Sequence, residues 1–263
     1  MATAREDVFV NRTHLPHALD AGLGARARIG LIVLATDQTI EHEWRQILGA
    51  LDGVALYQSR IWNDARITPE TLAAMEGRLA ESAAVIMPGV PLAVVAFGCT
   101  SATMVIGEDG VFARLREARP EARGTTPITA AFAAFRALDA RRVAVITPYR
   151  EDVNQAVRRY VEARGFQVPV FGSFNEEDDT RAARIGTASI RDAALELGRD
   201  PRVDTVFVSC TSLRVAAVVR AVETELGKPV TSSNHAMAWH ALRLAGVEDR
   251  LARWGRLFEV SLT

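Results

Sequence analysis

Cysteine is scarce in this chain. Its 263 residues include two, Cys99 and Cys210, too few for a disulfide framework and outside any C-x-x-C spacing that marks a zinc site. Histidine offers no metal constellation either, since His14, His17, His42, His235 and His240 are scattered. No apolar run approaches the ~18 residues of a membrane-spanning helix. Neither sign of charge is in excess: 31 Lys and Arg against 32 Asp and Glu leave a formal net charge of -1. Electrostatics therefore give no reason to expect nucleic acid or an anionic membrane as partner. The N-terminus lacks the apolar core of a secretory signal and reads as a polar lead-in. A cytoplasmic protein with reduced thiols is expected.

Buried-strand material is plentiful. Hydrophobic residues make up 49% and charged residues 24%, a globular composition with length enough for one large α/β domain or two lobes. Two stretches organise the rest: LAVVAFGCTS at 92–101 and TVFVSCTS at 205–212. Each reads as a short buried strand ending in Cys-Thr-Ser, with an apolar helical run behind it. Both cysteines of the chain sit at the same point of this repeated motif.

In chain order the pattern predicts a strand at 28–36, a helix at 39–51, a strand at 54–59 and a long amphipathic helix at 68–87 opened by Thr68-Pro69. A strand at 92–98, a helix at 111–119 and a polar linker at 120–126 follow. The second half reads as helix 127–138, strand 142–147, a Pro148-Tyr149 turn, helix 152–164 and strand 166–171. A charged loop at 175–179 leads to helix 181–197, strand 203–209, a helix running to about Leu226, and a helix at 234–244. Strands alternating with helices of this length mean βαβ units and a mostly parallel sheet.

The halves resemble one another beyond the cysteines. Pro127-Ile128-Thr129 follows the first motif and Pro229-Val230-Thr231 the second, each before an Ala-rich helix. The expected fold is α/β with two pseudo-symmetric lobes, each a mostly parallel sheet flanked by helices. One lobe spans 1–125, completed by the C-terminal segment 233–263, and the other spans 126–232. Ligands of open parallel sheets collect at the carboxyl edge, so the two thiols are expected to face each other across one cleft.

A cysteine behind a buried strand is ordinarily a small core residue, but packing gives no reason to repeat Cys-Thr-Ser. At a helix N-terminus the unpaired N–H groups and the dipole favour a thiolate, with a pKa that can fall to ~3.5–7.5. Thr100, Ser101, Thr211 and Ser212 fit the first turn of such a helix, where amides and hydroxyls also bind anions. Other groups have plainer readings. His235 is a packing residue rather than part of the cleft, and Trp44, Trp62, Trp239 and Trp254 are core or interface anchors. The 176–179 run is a solvated loop able to cover the cleft.

At IGLIVLATDQT, GCTS, TPY, the acidic loop before Arg184-Ile185, and SCTS, nearly the whole chain resembles the aspartate/glutamate racemase superfamily. The resemblance is to its branch of maleate cis-trans isomerases, arylmalonate decarboxylases and ectoine-utilisation protein A. It implies two pseudo-symmetric lobes, no metal and no organic cofactor. Cys99 and Cys210 match the family's paired catalytic cysteines. Thr100, Ser101, Thr211 and Ser212 fall where substrate carboxylate is held, and Tyr149 matches a tyrosine that hydrogen-bonds substrate. Asp37 and Asp179 fall where maleate isomerases carry carboxylate-binding Asn, with Asn175 competing for the second role and helix capping for Asp37. An ionised Asp can only accept and would repel a carboxylate. A substrate with a carboxylate at one end and an ammonium, amidinium or hydroxyl at the other is therefore expected, such as an ectoine derivative.

Three readings follow. The first is a cofactor-independent racemase or epimerase of a small amino acid or ectoine-derived acid, with one cysteine as base and the other as acid. The second is a cis-trans isomerase working through a covalent cysteine adduct. The third, of another class, is a non-catalytic two-lobed solute-binding protein. Decarboxylation fits less well, because decarboxylases of this branch have no partner like Cys99. The apolar helices are compatible with a homo-oligomer without specifying one.

Overall fold

The computed structural model describes residues 9–64, 68–176 and 178–263. The first eight residues of the expected lead-in, and Glu177 of the acidic loop, lie outside the described residues. Two four-stranded parallel sheets with the same strand order form the frame. In the first, β1 (Ala27–Leu34) lies between β2 (Val54–Ile61) and β3 (Val94–Phe97), and β4 (Arg123–Thr125) pairs with β3. In the second, β5 (Arg142–Thr147) lies between β6 (Gln167–Ser173) and β7 (Thr205–Val208), and β8 (Val230–Ser232) pairs with β7. The central strands are near-continuous apolar runs because helices cover both faces, as parallel sheets require.

The helices are α1 (Ile40–Leu48), α2 (Pro69–Ala73), α3 (Leu79–Ala84), α4 (Thr100–Ile106), α5 (Glu108–Ala118) and α6 (Pro127–Ala137) in the first half. Then come α7 (Glu151–Glu162), α8 (Asp179–Ala182), α9 (Thr187–Gly198), α10 (Ala216–Leu226) and α11 (Ser233–Leu244). Among the described residues, no helix is long and apolar enough to cross a membrane.

Two helices join the sheets. Thr126 caps α6 by accepting from the Thr129 N–H, and Ser232 caps α11 by accepting from the His235 N–H. α6 sends Ile128, Ala131, Phe132 and Phe135 into the core of the second sheet, while Ala130 and Ala134 face a cluster shared with α11. α11 is buried from Ser233 to Arg243 and packs on α1, β3 and β4 of the first sheet. The helix after the fourth strand of each half thus crosses to the other half.

Several expectations need correction. The single helix at 68–87 is two short helices with a 3₁₀ turn at Glu76–Arg78 between them, where Gly77 weakens helix propensity. The linker at 120–126 contains β4, whose three residues are too few to carry a periodic signal. The helix at 181–197 is broken into α8 and α9 just before Gly186. The helix behind Cys210 begins only at Ala216. Trp62 is 68% exposed and so is not a core anchor; Trp44, Trp239 and Trp254 are buried.

A buried carboxylate, absent from the sequence reading, also spans the lobes. Glu43 of α1 is one of five buried positions (40, 43, 44, 47, 48) that make the helix's inner face. Its Oε1 accepts from the Val215 and Ala216 N–H groups at 2.6 Å each, and its Oε2 accepts from Asn234 Nδ2 at 2.9 Å. Burial pushes its carboxyl from the ordinary 4.5 up to about 7, against the pull of those donors and with the help of Asp37.

A carboxyl that holds its proton more tightly when folded stabilises the fold below its unfolded value, and that contribution is lost as pH rises from 4.5 through about 7. Wild type should therefore lose about 2 kcal/mol relative to Glu43→Gln between roughly pH 5 and pH 7.5. Urea melts of both proteins at the two pH values measure this. A difference that does not change with pH would mean that Glu43 titrates alike in the folded and unfolded chains.

Candidate active site

The carboxyl edges of the two sheets carry the cysteines. On the first, the Gly98 N–H donates to Ile32 O at 2.9 Å, so the chain passes close to β1. A Cβ at residue 98 would stand 3.0 Å from Ile40 Cδ1 and 3.1 Å from Ile32 O, which explains the glycine before Cys99. Cys99 is the N-cap of α4, its Sγ accepting from the Ala102 N–H at 3.4 Å. On the second edge, the Cys210 N–H donates to Ser233 Oγ at 3.1 Å, and the Ser212 N–H donates to Cys210 Sγ at 3.4 Å. Cys210 sits in a turn, five residues before the cap of α10, so the two motifs are alike in sequence but not in helix geometry.

One tight cavity, of about 30 Å³, brings these groups together. Cys99, Thr100, Ser101, Tyr149, Asp179, Cys210, Thr211 and Ser212 all line it. Leu34, Leu72 and Met75 form an apolar side, and Asn63 and Asp64 add polar groups. Tyr149 is held by the turn after β5: its N–H donates to Thr147 Oγ1, and its carbonyl accepts from Asn154 Nδ2. Its buried hydroxyl lies in hydrogen-bonding contact with Cys210.

Of the remaining expected contacts, Asp37 does not line the cavity. Its Oδ1 accepts from the Thr39 and Ile40 N–H groups at 2.7 and 2.9 Å, so it satisfies the start of α1. Asp179 lines the cavity and receives Thr36 Oγ1 at 3.5 Å. Asn175, its competitor, is exposed in the left-handed backbone region and does not line the cavity. Burial raises the carboxyls of both Asp37 and Asp179, and Asp37 adds to the shift at Asp179. His235 bonds to Thr231 Oγ1 and Trp254 O in the core, where burial drives its pKa down to about 4.

The expected low thiol pKa values are overturned. Burial pushes Cys99 up to about 11, only partly offset by the Ala102 N–H and Ser101, with Asp179 and Asp37 raising it further. Burial and then the charge of Asp179 push Cys210 up to about 12, against donation from Tyr149 and Ser212. One helix N-terminus supplies a fraction of a charge, which is less than complete desolvation takes away. Both sulfurs are thus held as thiols at neutral pH.

Sequence reading missed the groups that brace the motifs. Ser233 Oγ sits 3.1 Å from Thr100 Oγ1 while accepting from the Cys210 N–H, so a single hydroxyl touches both cysteine segments. Asn234 Nδ2 donates to Thr211 O at 2.8 Å, and Thr39 Oγ1 donates to Ser212 O at 2.9 Å. The signal for Ser233 and Asn234 was the Pro-x-Thr turn, which ends at Thr231, two and three residues before them. Among the described residues, no three His, Cys, Asp or Glu side chains are grouped to hold a metal ion.

The chain is similar to known proteins over most of its length. The arylmalonate decarboxylase family model matches residues 54–258. The chain is 30% identical over 239 residues to the maleate isomerase of Nocardia farcinica, covering 88% of this chain and 94% of that one. It is 34% identical over 154 residues to the arylmalonate decarboxylase of Bordetella bronchiseptica, covering 57% of this chain and 64% of the other. A solved cysteine-to-serine mutant of the Nocardia farcinica maleate cis-trans isomerase, with a covalently bound succinylcysteine intermediate, superposes at a TM-score of 0.78 and 28% identity, over 89% of this chain and 98% of its own. With most of its length matched, the chain belongs to the arylmalonate decarboxylase and maleate isomerase family, within the aspartate/glutamate racemase superfamily.

Proposed function

We propose that this enzyme is a cofactor-independent isomerase in which Cys99 and Cys210 act on a small carboxylic acid bearing an ammonium, amidinium or hydroxyl at its other end. The observation that carries the reading is one cavity lined by both thiols, Tyr149 and the Asp179 carboxyl. The segments at Thr100, Ser101, Thr211 and Ser212 would hold the carboxylate, while Asp179 would accept from the far end. A cation against Asp179 would also cancel the charge that raises Cys210, so binding substrate would itself bring a thiol toward its reactive form. One sulfur would then remove the α-proton and the other return one to the opposite face, giving racemisation or epimerisation. An ectoine-derived acid or a small amino acid has this chemistry.

The near-full-length relatives favour a second reading, cis-trans isomerisation of a maleate-type acid through a cysteine adduct. An ionised Asp179 would oppose a second carboxylate there, and its upward shift, caused first by burial, weakens that opposition.

Proton NMR in D₂O with ectoine-derived acids, ordinary amino acids and maleate separates the two. Deuterium entering beside a carboxylate, with loss of optical activity, supports the first reading. Conversion of maleate to fumarate supports the second, and silence across the panel counts against both. On the productive substrate, Cys99→Ser and Cys210→Ser should each lower kcat by ~10²–10⁴-fold. A solute-binding protein would instead keep its affinity in both variants. Asp179→Asn should weaken turnover of a cationic substrate by ~10-fold or more and improve binding of maleate. The opposite pattern in steady-state kinetics would remove Asp179 from the site.

A further inference from the structure

Glu43 does not line the cavity, yet its hydrogen bonds converge on the loop that does. Residues 210–215 leave β7 with no regular structure, and Val215, the N-cap of α10, offers no side-chain cap. The free N–H groups at the helix start go to Glu43 Oε1 instead, from Val215 and Ala216. At the other end of the loop, the Asn234 amide bonded to Glu43 Oε2 also donates to the carbonyl of Thr211, beside Cys210. Between these points Thr39, which precedes α1, donates to the carbonyl of Ser212.

We propose that Glu43 is a positioning residue, a carboxylate on a helix of the first sheet that fixes both ends of the Cys210 loop and so sets where that sulfur stands relative to Cys99. A carboxylate can accept two N–H groups on one oxygen and a third on the other, whereas an amide cannot. Gln at 43 would turn an NH₂ toward the Asn234 amide or toward the backbone donors, leaving a donor facing a donor in a buried place. Asp at 43 keeps the charge but falls one methylene short. Among the described residues no buried carboxylate braces the Cys99 segment in this way: its sulfur and carbonyl are bonded within α4, and Ser233 Oγ reaches its neighbour Thr100. The inference rests on Cys210 being one of the reacting groups, and it holds for either reaction above.

The test separates the two cysteines. Glu43→Gln, Glu43→Asp and Asn234→Ala are checked for folding by circular dichroism and thermal melting. Iodoacetamide labelling of Cys99 and Cys210 is then timed separately by peptide mass spectrometry, which requires no substrate. The Cys210-to-Cys99 ratio of labelling rates is expected to change by at least ~3-fold in every variant that folds, Asn234→Ala included. On a productive substrate, kcat should fall ~10-fold or more in Glu43→Gln, with KM moved less than ~3-fold. A ratio unchanged in the folded variants, or both cysteines altered equally, overturns the proposal. A shifted ratio with no turnover on any substrate defeats the proposed function and leaves the positioning role standing.

Discussion

Everything at the candidate site depends on desolvation. The two thiols, the tyrosine and the Asp179 carboxyl line one cavity, Asp37 is buried outside its lining, and each of the five is pushed toward its neutral form. In such a place a hydrogen bond or a charge counts for more than it would at the surface. Both thiols are therefore protonated at neutral pH, and burial biases the neighbouring carboxyls in the same direction.

The frame that allows this is a repeated one. Both sheets have the same strand order and present a Cys-Thr-Ser segment at the same edge. The segments are not equivalent in detail. Cys99 belongs to a helix start, with glycine before it to admit a close backbone, while Cys210 belongs to an irregular loop braced from the other half through Thr39, Glu43, Ser233 and Asn234. Two sulfurs in the same motif thus have different neighbours.

The strands and the cavity membership were largely legible in the sequence, for a physical reason. Doubly covered parallel strands such as RIGLIVL and TVFV must be continuous apolar runs, and their carboxyl ends must gather at one edge. The chain at 123–125 could not be read as a strand, because its pairing comes from β3 and not from its own three residues. The breaks at 74–78 and 183–186 were hidden because the apolar periodicity continues across both. The thiol shifts were misread because a local motif reveals the helix dipole but not the depth of burial. Glu43 was invisible because a charged residue on an apolar helix face has meaning only once its partners at 215, 216 and 234 are known.

The crossing of α6 and α11 has a consequence for how the chain is made. The first sheet is complete in sequence by Thr125, yet one face of it is covered by α11, which ends at Leu244. During synthesis that apolar face waits for more than a hundred residues of the second half before its cover leaves the ribosome. The N-terminal half is thereby committed to its partner, and a nascent chain stalled between the two sheets would expose the surface that chaperones recognise.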